Sequence, residues 1–75
     1  MTNVLILGAN GRIARLVRQR LLTETNTQLT LYLRHAKRLG SIDPTREDVI
    51  EADVNDYQAL VQAMANQDIV YANLG

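Results

Sequence analysis

The sequence predicts an α/β fold on a parallel sheet, from three observations. Short β-prone apolar runs at residues 4–7, 29–33, 49–52 and 69–73 alternate with helix-periodic or irregular segments. The first run, Val4-Leu5-Ile6-Leu7, is a continuous apolar block, as expected of a strand buried on both faces. A glycine-containing turn leads from it directly into an amphipathic helix. Parallel neighbours need crossover connections, so this alternation implies a parallel sheet.

Each element has its own local reason. The first strand ends at Gly8, and residues 11–23 then read as a helix. Ile13, Val17 and Leu21 recur every four positions with Leu16 and Leu22 beside them, and arginines occupy much of the rest. Glu24 to Thr27 is polar and turn-like, and residues 29–33 (Leu-Thr-Leu-Tyr-Leu) form the second strand. Residues 34–48 carry little periodicity. One helical turn is expected over 36–39, and Gly40, Asp43 and Pro44 prevent its continuation. A short third strand at 49–52 precedes a second helix with Asn55 or Asp56 as N-cap. Its apolar positions are Tyr57, Leu60, Val61 and Met64 at i, i+3, i+4 and i+7. Tyr32, Tyr57 and Tyr71 read as core or half-buried packing. The order is β-α-β-β-α-β, and right-handed crossovers with one reversal predict the strand order 3-2-1-4.

Size and composition narrow the class. Of 75 residues 47% are hydrophobic, with eight basic and eight acidic side chains and no cysteine. That balance suits a folded domain and excludes a disulfide scaffold. His35 stands without a second ligand candidate, so no metal site is expected. The apolar run at 4–7 is too short to span a bilayer and follows no basic segment, so no membrane partner and a cytoplasmic location are expected. A domain this short buries only about 60% of its unfolded surface. With one helix per sheet face and an open fourth strand, the chain reads as the opening part of a longer protein, its free edge available for self-association.

The zero net charge conceals an asymmetry. All eight basic residues and only two acids lie in residues 1–46, whereas residues 47–75 hold six acids and no base. A pI near 6.5 and the lack of interleaved aromatics argue against a nucleic-acid partner. Arg15, Arg18 and Arg20 read as a solvated helix face. Part of the remaining basic excess lies beside the glycine turn and after the second strand, where phosphates would sit.

The chemistry is carried by Gly8-Ala9-Asn10-Gly11-Arg12-Ile13-Ala14, spaced G-x-x-G-x-x-A between the first strand and helix. Gly8 permits the tight turn off the strand, Gly11 lets backbone approach a pyrophosphate, and Ala14 lets helix and strand pack closely. The helix N-terminus adds unpaired N–H groups and the positive end of its dipole. The same glycines would also serve a purely structural turn; the preceding buried strand and following helix favour a Rossmann-type dinucleotide site. In NAD sites an acid roughly 20 residues beyond the glycines holds the ribose 2′-hydroxyl. Arg34 stands there, in Leu33-Arg34-His35-Ala36-Lys37-Arg38. A guanidinium grips a 2′-phosphate through charge-assisted hydrogen bonds, so NADP(H) is expected rather than NAD(H). Arg38 and Arg12 are the next candidates. Asp53, beside Val54, reads either as acceptor for the adenine amino group or as a turn residue before the second helix. Asn73-Leu74-Gly75 ends the fourth strand, where ligands of such sheets bind.

Together these residues resemble the atypical short-chain dehydrogenase/reductases, most closely the NAD(P)H-binding, NmrA-like and biliverdin/flavin reductase-like proteins. The resemblance rests on Gly8 to Ala14, Arg34 and Arg38, Asp53-Val54 with Asp56 and Leu60, and Asn73-Leu74-Gly75. It implies that Gly8, Asn10, Gly11, Arg12 and Ile13 cradle the pyrophosphate. Arg34 and Arg38 would hold the 2′-phosphate, Asp53 and Val54 the adenine, and Leu74 and Gly75 the ribose side. It further implies that residues 1–75 are part of a dinucleotide-binding domain from an NAD(P)H-dependent reductase of unknown small-molecule substrate, or from an NmrA-like regulator that senses NADP(H) without turnover. The family's catalytic segments come after the fourth strand, so no catalytic residue and no turnover are expected of this chain.

Overall fold

The structure is a computed structural model that describes residues 1–73. Its elements run β1 (Asn3–Leu7), α1 (Arg12–Glu24), β2 (Gln28–Leu33), a 3-10 turn (Ala36–Leu39), β3 (Glu47–Glu51), α2 (Tyr57–Met64) and β4 (Ile69–Ala72). Among the described residues the sheet has four strands, all parallel, in the order β3-β2-β1-β4. This is the Rossmann-type α/β arrangement expected from the element order. None of the helices is long and apolar enough to cross a membrane, among the described residues.

The central strands β1 and β2 are buried on both faces, which explains the unbroken apolar run of β1, whereas Ile69 and Val70 of the edge strand β4 are exposed. Val4 and Ile6 face one layer with Leu29, Leu31, Leu33 and Ala14 of α1, while Leu5 and Leu7 face the other with Tyr32 and Ala63 of α2. Strand side chains alternate between faces, so four consecutive apolar residues supply both cores. Each fully buried leucine or isoleucine contributes roughly 1.5–3 kcal/mol.

The helix stripes differ from expectation in detail. Ala14, with Leu21 and Leu22, packs onto the sheet, whereas Ile13 and Leu16 are exposed. On α2 the inward residues are Ala59, Leu60 and Ala63, while Val61 and Met64 are exposed and Tyr57 is 75% exposed. The physical reason is that the apolar stripe of each helix is wider than its contact with the sheet, so one edge of the stripe packs inward and the other is turned outward. Tyr57, expected to pack, stands at the first turn of α2 beyond that contact.

β3 begins two residues earlier than the apolar pattern predicts, at Glu47, which pairs with Leu29. Glu47 is 2% exposed, a burial its charge would forbid without partners. Arg18 provides them through a paired contact from Nε to Oε2 and a second donation from Nη2 to Oε1 at 3.0 Å; the Asp43 N–H donates to Oε1 at 2.9 Å. Arg18 is thus no solvated residue; its Nη2 also donates to the Ser41 carbonyl at 3.0 Å. Arg20, paired with Glu24 one turn along, does lie at the surface. Arg46 closes the far end of α1, donating to the Thr25 carbonyl at 2.9 Å and the Thr27 carbonyl at 3.0 Å, with longer bonds to Leu21 and Leu22.

Candidate functional site

The carboxyl ends of the four strands open into one cleft of about 610 Å³. Its walls come from the turn after β1 (Gly8, Asn10, Gly11, Arg12, Ile13), the end of β2 (Tyr32 to His35), the residues after β3 (Ala52 to Asn55) and Asn73 after β4. Of the candidate residues, the cleft therefore gathers Gly8, Asn10, Gly11, Arg12, Ile13, Arg34, Asp53 and Val54. Arg38 is not among its walls, and Leu74 and Gly75 lie outside the described residues.

The turn after β1 is built by backbone. Gly8 has φ of 70°, a left-handed conformation that a Cβ would strain. It lets the chain reverse so that the N–H groups of Gly8 and Ala9 both reach the Tyr32 carbonyl, at 2.8 and 3.2 Å. Gly11 plays another part. Its φ of −66° and ψ of 155° suit any residue, but an added Cβ would collide with the side-chain amide of Asn73. Glycine here keeps the turn close to the end of β4, whose Asn73 N–H donates to the Leu7 carbonyl at 3.0 Å.

Gly11 is also the N-cap of α1 and brings no side-chain acceptor; no acidic residue lies in the first turn. The leading N–H groups and the positive helix end thus face the cleft without internal compensation among the described residues. α2 contrasts with it: the Asp56 carboxylate accepts from the Ala59 N–H at 3.1 Å.

At the other side of the cleft, Arg34 Nη1 lies 3.7 Å from Asp53 Oδ2, both groups reaching solvent. Asp53 is fixed from three directions. Its Oδ1 accepts from the Asn55 N–H at 2.9 Å, and its carbonyl accepts from the Asp56 N–H at 3.0 Å and the Tyr32 hydroxyl at 2.7 Å. The turn role of Asp53 is therefore present, with its second oxygen left facing the cleft. Tyr32 lines the cleft as well as packing in the core. Burial, and then the charges of Asp56 and Asp53, raise its pKa, so its hydroxyl keeps the proton it donates. The β-strand pattern marks Tyr32 only as buried; its polar task depends on the position of a loop 21 residues on.

Arg15 is exposed, as its place on a solvated helix face predicts, but it is also tied down. Its Nη2 donates to Asn10 Oδ1 at 2.6 Å and to the Arg38 carbonyl at 3.0 Å. Neither partner was legible in the sequence, because the bridge joins the glycine turn to a segment beyond β2.

A Cβ-intolerant turn, an uncapped helix start and the guanidinium groups of Arg12 and Arg34 around one cleft fit an anionic dinucleotide. Comparison with known proteins bears on the same point. Residues 8–75 match the family model described as NAD(P)H-binding. The chain belongs to this NAD(P)H-binding family. This agrees with the resemblance drawn from the sequence motifs taken together, to an atypical short-chain dehydrogenase/reductase-like NAD(P)-binding family. Among solved structures, this NAD(P)H-binding chain is similar to a Rossmann-fold NAD(P)-binding family protein from Shigella flexneri, at 47% identity and a TM-score of 0.90, covering 99% of this chain and 38% of that one. It is also similar to a short-chain dehydrogenase/reductase (wide type) from Veillonella parvula DSM 2008 in complex with NADP, at 38% identity and a TM-score of 0.89, covering 95% of this chain and 34% of that one. The chain thus spans little more than a third of the length of these structures. Comparison with curated proteins gives no match.

Proposed function

We propose that the chain binds NADP(H) in preference to NAD(H), as the cofactor-binding part of a reductase of the atypical short-chain type. The observation that carries this reading is Arg34 at the cleft rim, in the position where an NAD site needs an acid. Gly8, Asn10, Gly11, Arg12 and Ile13 would hold the pyrophosphate, largely through backbone N–H groups at the start of α1. Arg34 would meet the 2′-phosphate, with Arg38, outside the cleft walls, as a second candidate; Asp53 and Val54 would line the adenine, and Leu74 and Gly75 the ribose side. The relative from Veillonella parvula, solved with NADP, supports this cofactor.

NADPH when bound supplies a hydride; what this chain supplies is position and charge. The Arg34–Asp53 pair has a consequence here. A 2′-phosphate carries more charge than a carboxylate and would draw the guanidinium away from Asp53, freeing that carboxylate's second oxygen for the adenine amino group. The substrate is a small molecule whose binding groups lie outside these elements, and residues 1–75 form one portion of the complete cofactor domain.

Fluorescence titration of NADPH against NADH tests this, and the absence of tryptophan leaves the reduced-nicotinamide signal clean. The wild-type chain is expected to favour NADPH, and Arg34→Ala to weaken it roughly tenfold or more while NADH changes less than twofold. Equal affinities for the two nucleotides in the wild-type chain would refute the preference.

A further inference from the structure

The geometry points to Arg15 as a residue that sets nucleotide selectivity by position, without lining the cleft itself. The inference rests on the proposed preference for NADP(H). Arg15 lies in the first turn of α1, outside the cleft walls. Its single Nη2 nevertheless reaches both segments that flank the phosphate end: Asn10 in the glycine turn, and the Arg38 carbonyl in the 3-10 turn after Arg34. Among the described residues no other side chain joins these two segments by a hydrogen bond.

The comparison with Arg18 shows what kind of contact this is. Arg18, three residues along the same helix, also clasps the connection after β2, at Ser41, but its charge is matched by buried Glu47. Arg18 is a structural tie. Arg15 bonds only to neutral oxygens and, among the described residues, has no ion-pair partner. The connection from Arg34 onward is therefore pinned to α1 at two successive points, and the one nearer the cleft depends on Arg15.

The two flanking segments would serve different parts of one ligand. The glycine turn meets a pyrophosphate that NADH and NADPH share, whereas the Arg34 segment meets a 2′-phosphate that only NADPH carries. Their separation matters for NADPH alone, because only that nucleotide must satisfy both at once. Holding the Arg34 segment at a set distance reduces the ordering cost of binding. Loosening it should weaken NADPH and leave NADH nearly unchanged.

The test measures NADPH and NADH affinities on the 75-residue chain for wild type, Arg15→Met, Arg15→Lys and Arg34→Ala, with thermal melts to establish folding. Arg15→Met removes both bonds and the charge, whereas Arg15→Lys keeps the charge but loses the planar fork. Both Arg15 variants are expected to lose roughly tenfold in NADPH affinity with NADH within twofold. If Arg15→Lys keeps the full NADPH preference, charge alone suffices and the positioning role is overturned. Equal losses for both nucleotides, or an unchanged ratio in Arg15→Met while Arg34→Ala abolishes it, overturn the role of Arg15 and leave the NADP(H) reading intact. A wild-type chain that is folded but shows no NADPH preference overturns the underlying reading, and this inference with it. Should Arg15→Met fail to fold, Arg15→Lys carries the same comparison.

Discussion

The two ends of α1 are built on opposite plans. At its C-terminal end Arg46 donates to the carbonyls of Thr25 and Thr27 and, at greater length, to Leu21 and Leu22. At the middle of the helix, Arg18, Glu47 and the Asp43 N–H lock α1 to β3. At its N-terminal end the cap is a glycine, no side chain closes the first turn, and the open N–H groups face a cleft. α2 shows that the chain can cap a helix when nothing else is asked of it, since Asp56 does so. The difference separates what holds the fold together from what is left free for a ligand. Polar groups at one end find partners within the chain; those at the other end fit a partner that arrives from outside.

Breaking the internal tie between α1 and β3 has the largest expected effect. Glu47→Ala leaves Arg18 half-buried without its counter-charge, and losing one member of such a pair costs about 3–5 kcal/mol. A domain of this size has only about 4–11 kcal/mol in total, at roughly 0.05–0.15 kcal/mol per residue. The urea midpoint of Glu47→Ala is therefore expected to collapse, while Arg18→Met combined with Glu47→Leu recovers most of the loss.

Closing the open end comes next. Gly11→Asp would give α1 the kind of cap that α2 has and place a negative charge where the pyrophosphate would lie. It would also displace the Asn73 amide. NADPH titration is expected to show a loss of roughly a hundredfold or more, about 2.7 kcal/mol, with the fold retained by circular dichroism. Undiminished affinity would mean that the open helix start is not the anion site.

A pH series probes the tie between α1 and β3 more finely. Burial acts to raise the Glu47 pKa, but hydrogen bonds from Arg18 and the Asp43 N–H, with the Arg18 charge, outweigh it and hold the carboxyl below its ordinary 4.5. A folded value below the unfolded one adds stability that is complete above about pH 4.5 and is lost as pH falls through the lowered value. Hydrogen bonds from Thr45 lower Asp43 from its ordinary 3.8 in the same sense. Urea midpoints should fall steeply below pH 4.5 in the wild-type chain and less steeply in Glu47→Gln. The smallest effect is expected from Asp56→Ala, which removes the cap of α2 at about 1 kcal/mol and leaves the NADPH-to-NADH ratio unchanged.

The same contrast separates what was legible in the sequence from what was not. The strand order, the glycine turn and the gathering of Arg12, Arg34 and Asp53 around one cleft arise from local signals, because turn chemistry and alternation are written in neighbouring residues. The tie between α1 and β3 was missed because its partners are distant in the chain. Glu47 reads as one more acid before an apolar pair, and Arg18 as one of several helix arginines; only the register of β3 against β2 brings them together. The charge asymmetry between the chain's two parts gains a meaning in the same way. Basic residues of the first part meet acids of the second at Arg18–Glu47 and Arg34–Asp53. The outward turn of Ile13, Tyr57 and Val61 was equally hidden, since periodicity identifies an apolar stripe but not which edge of it touches the sheet.

Whether the uncapped start of α1 and Arg34 form one anion site, and the start of α2 does not, is tested most directly by NMR. Amide chemical shifts of the 15N-labelled chain would be followed during NADPH titration. Saturable shifts are expected at residues 8–14 and 34–35, with the amides of residues 57–60 unmoved. Saturable binding that leaves residues 8–14 unmoved would contradict the assignment of the anion site to α1.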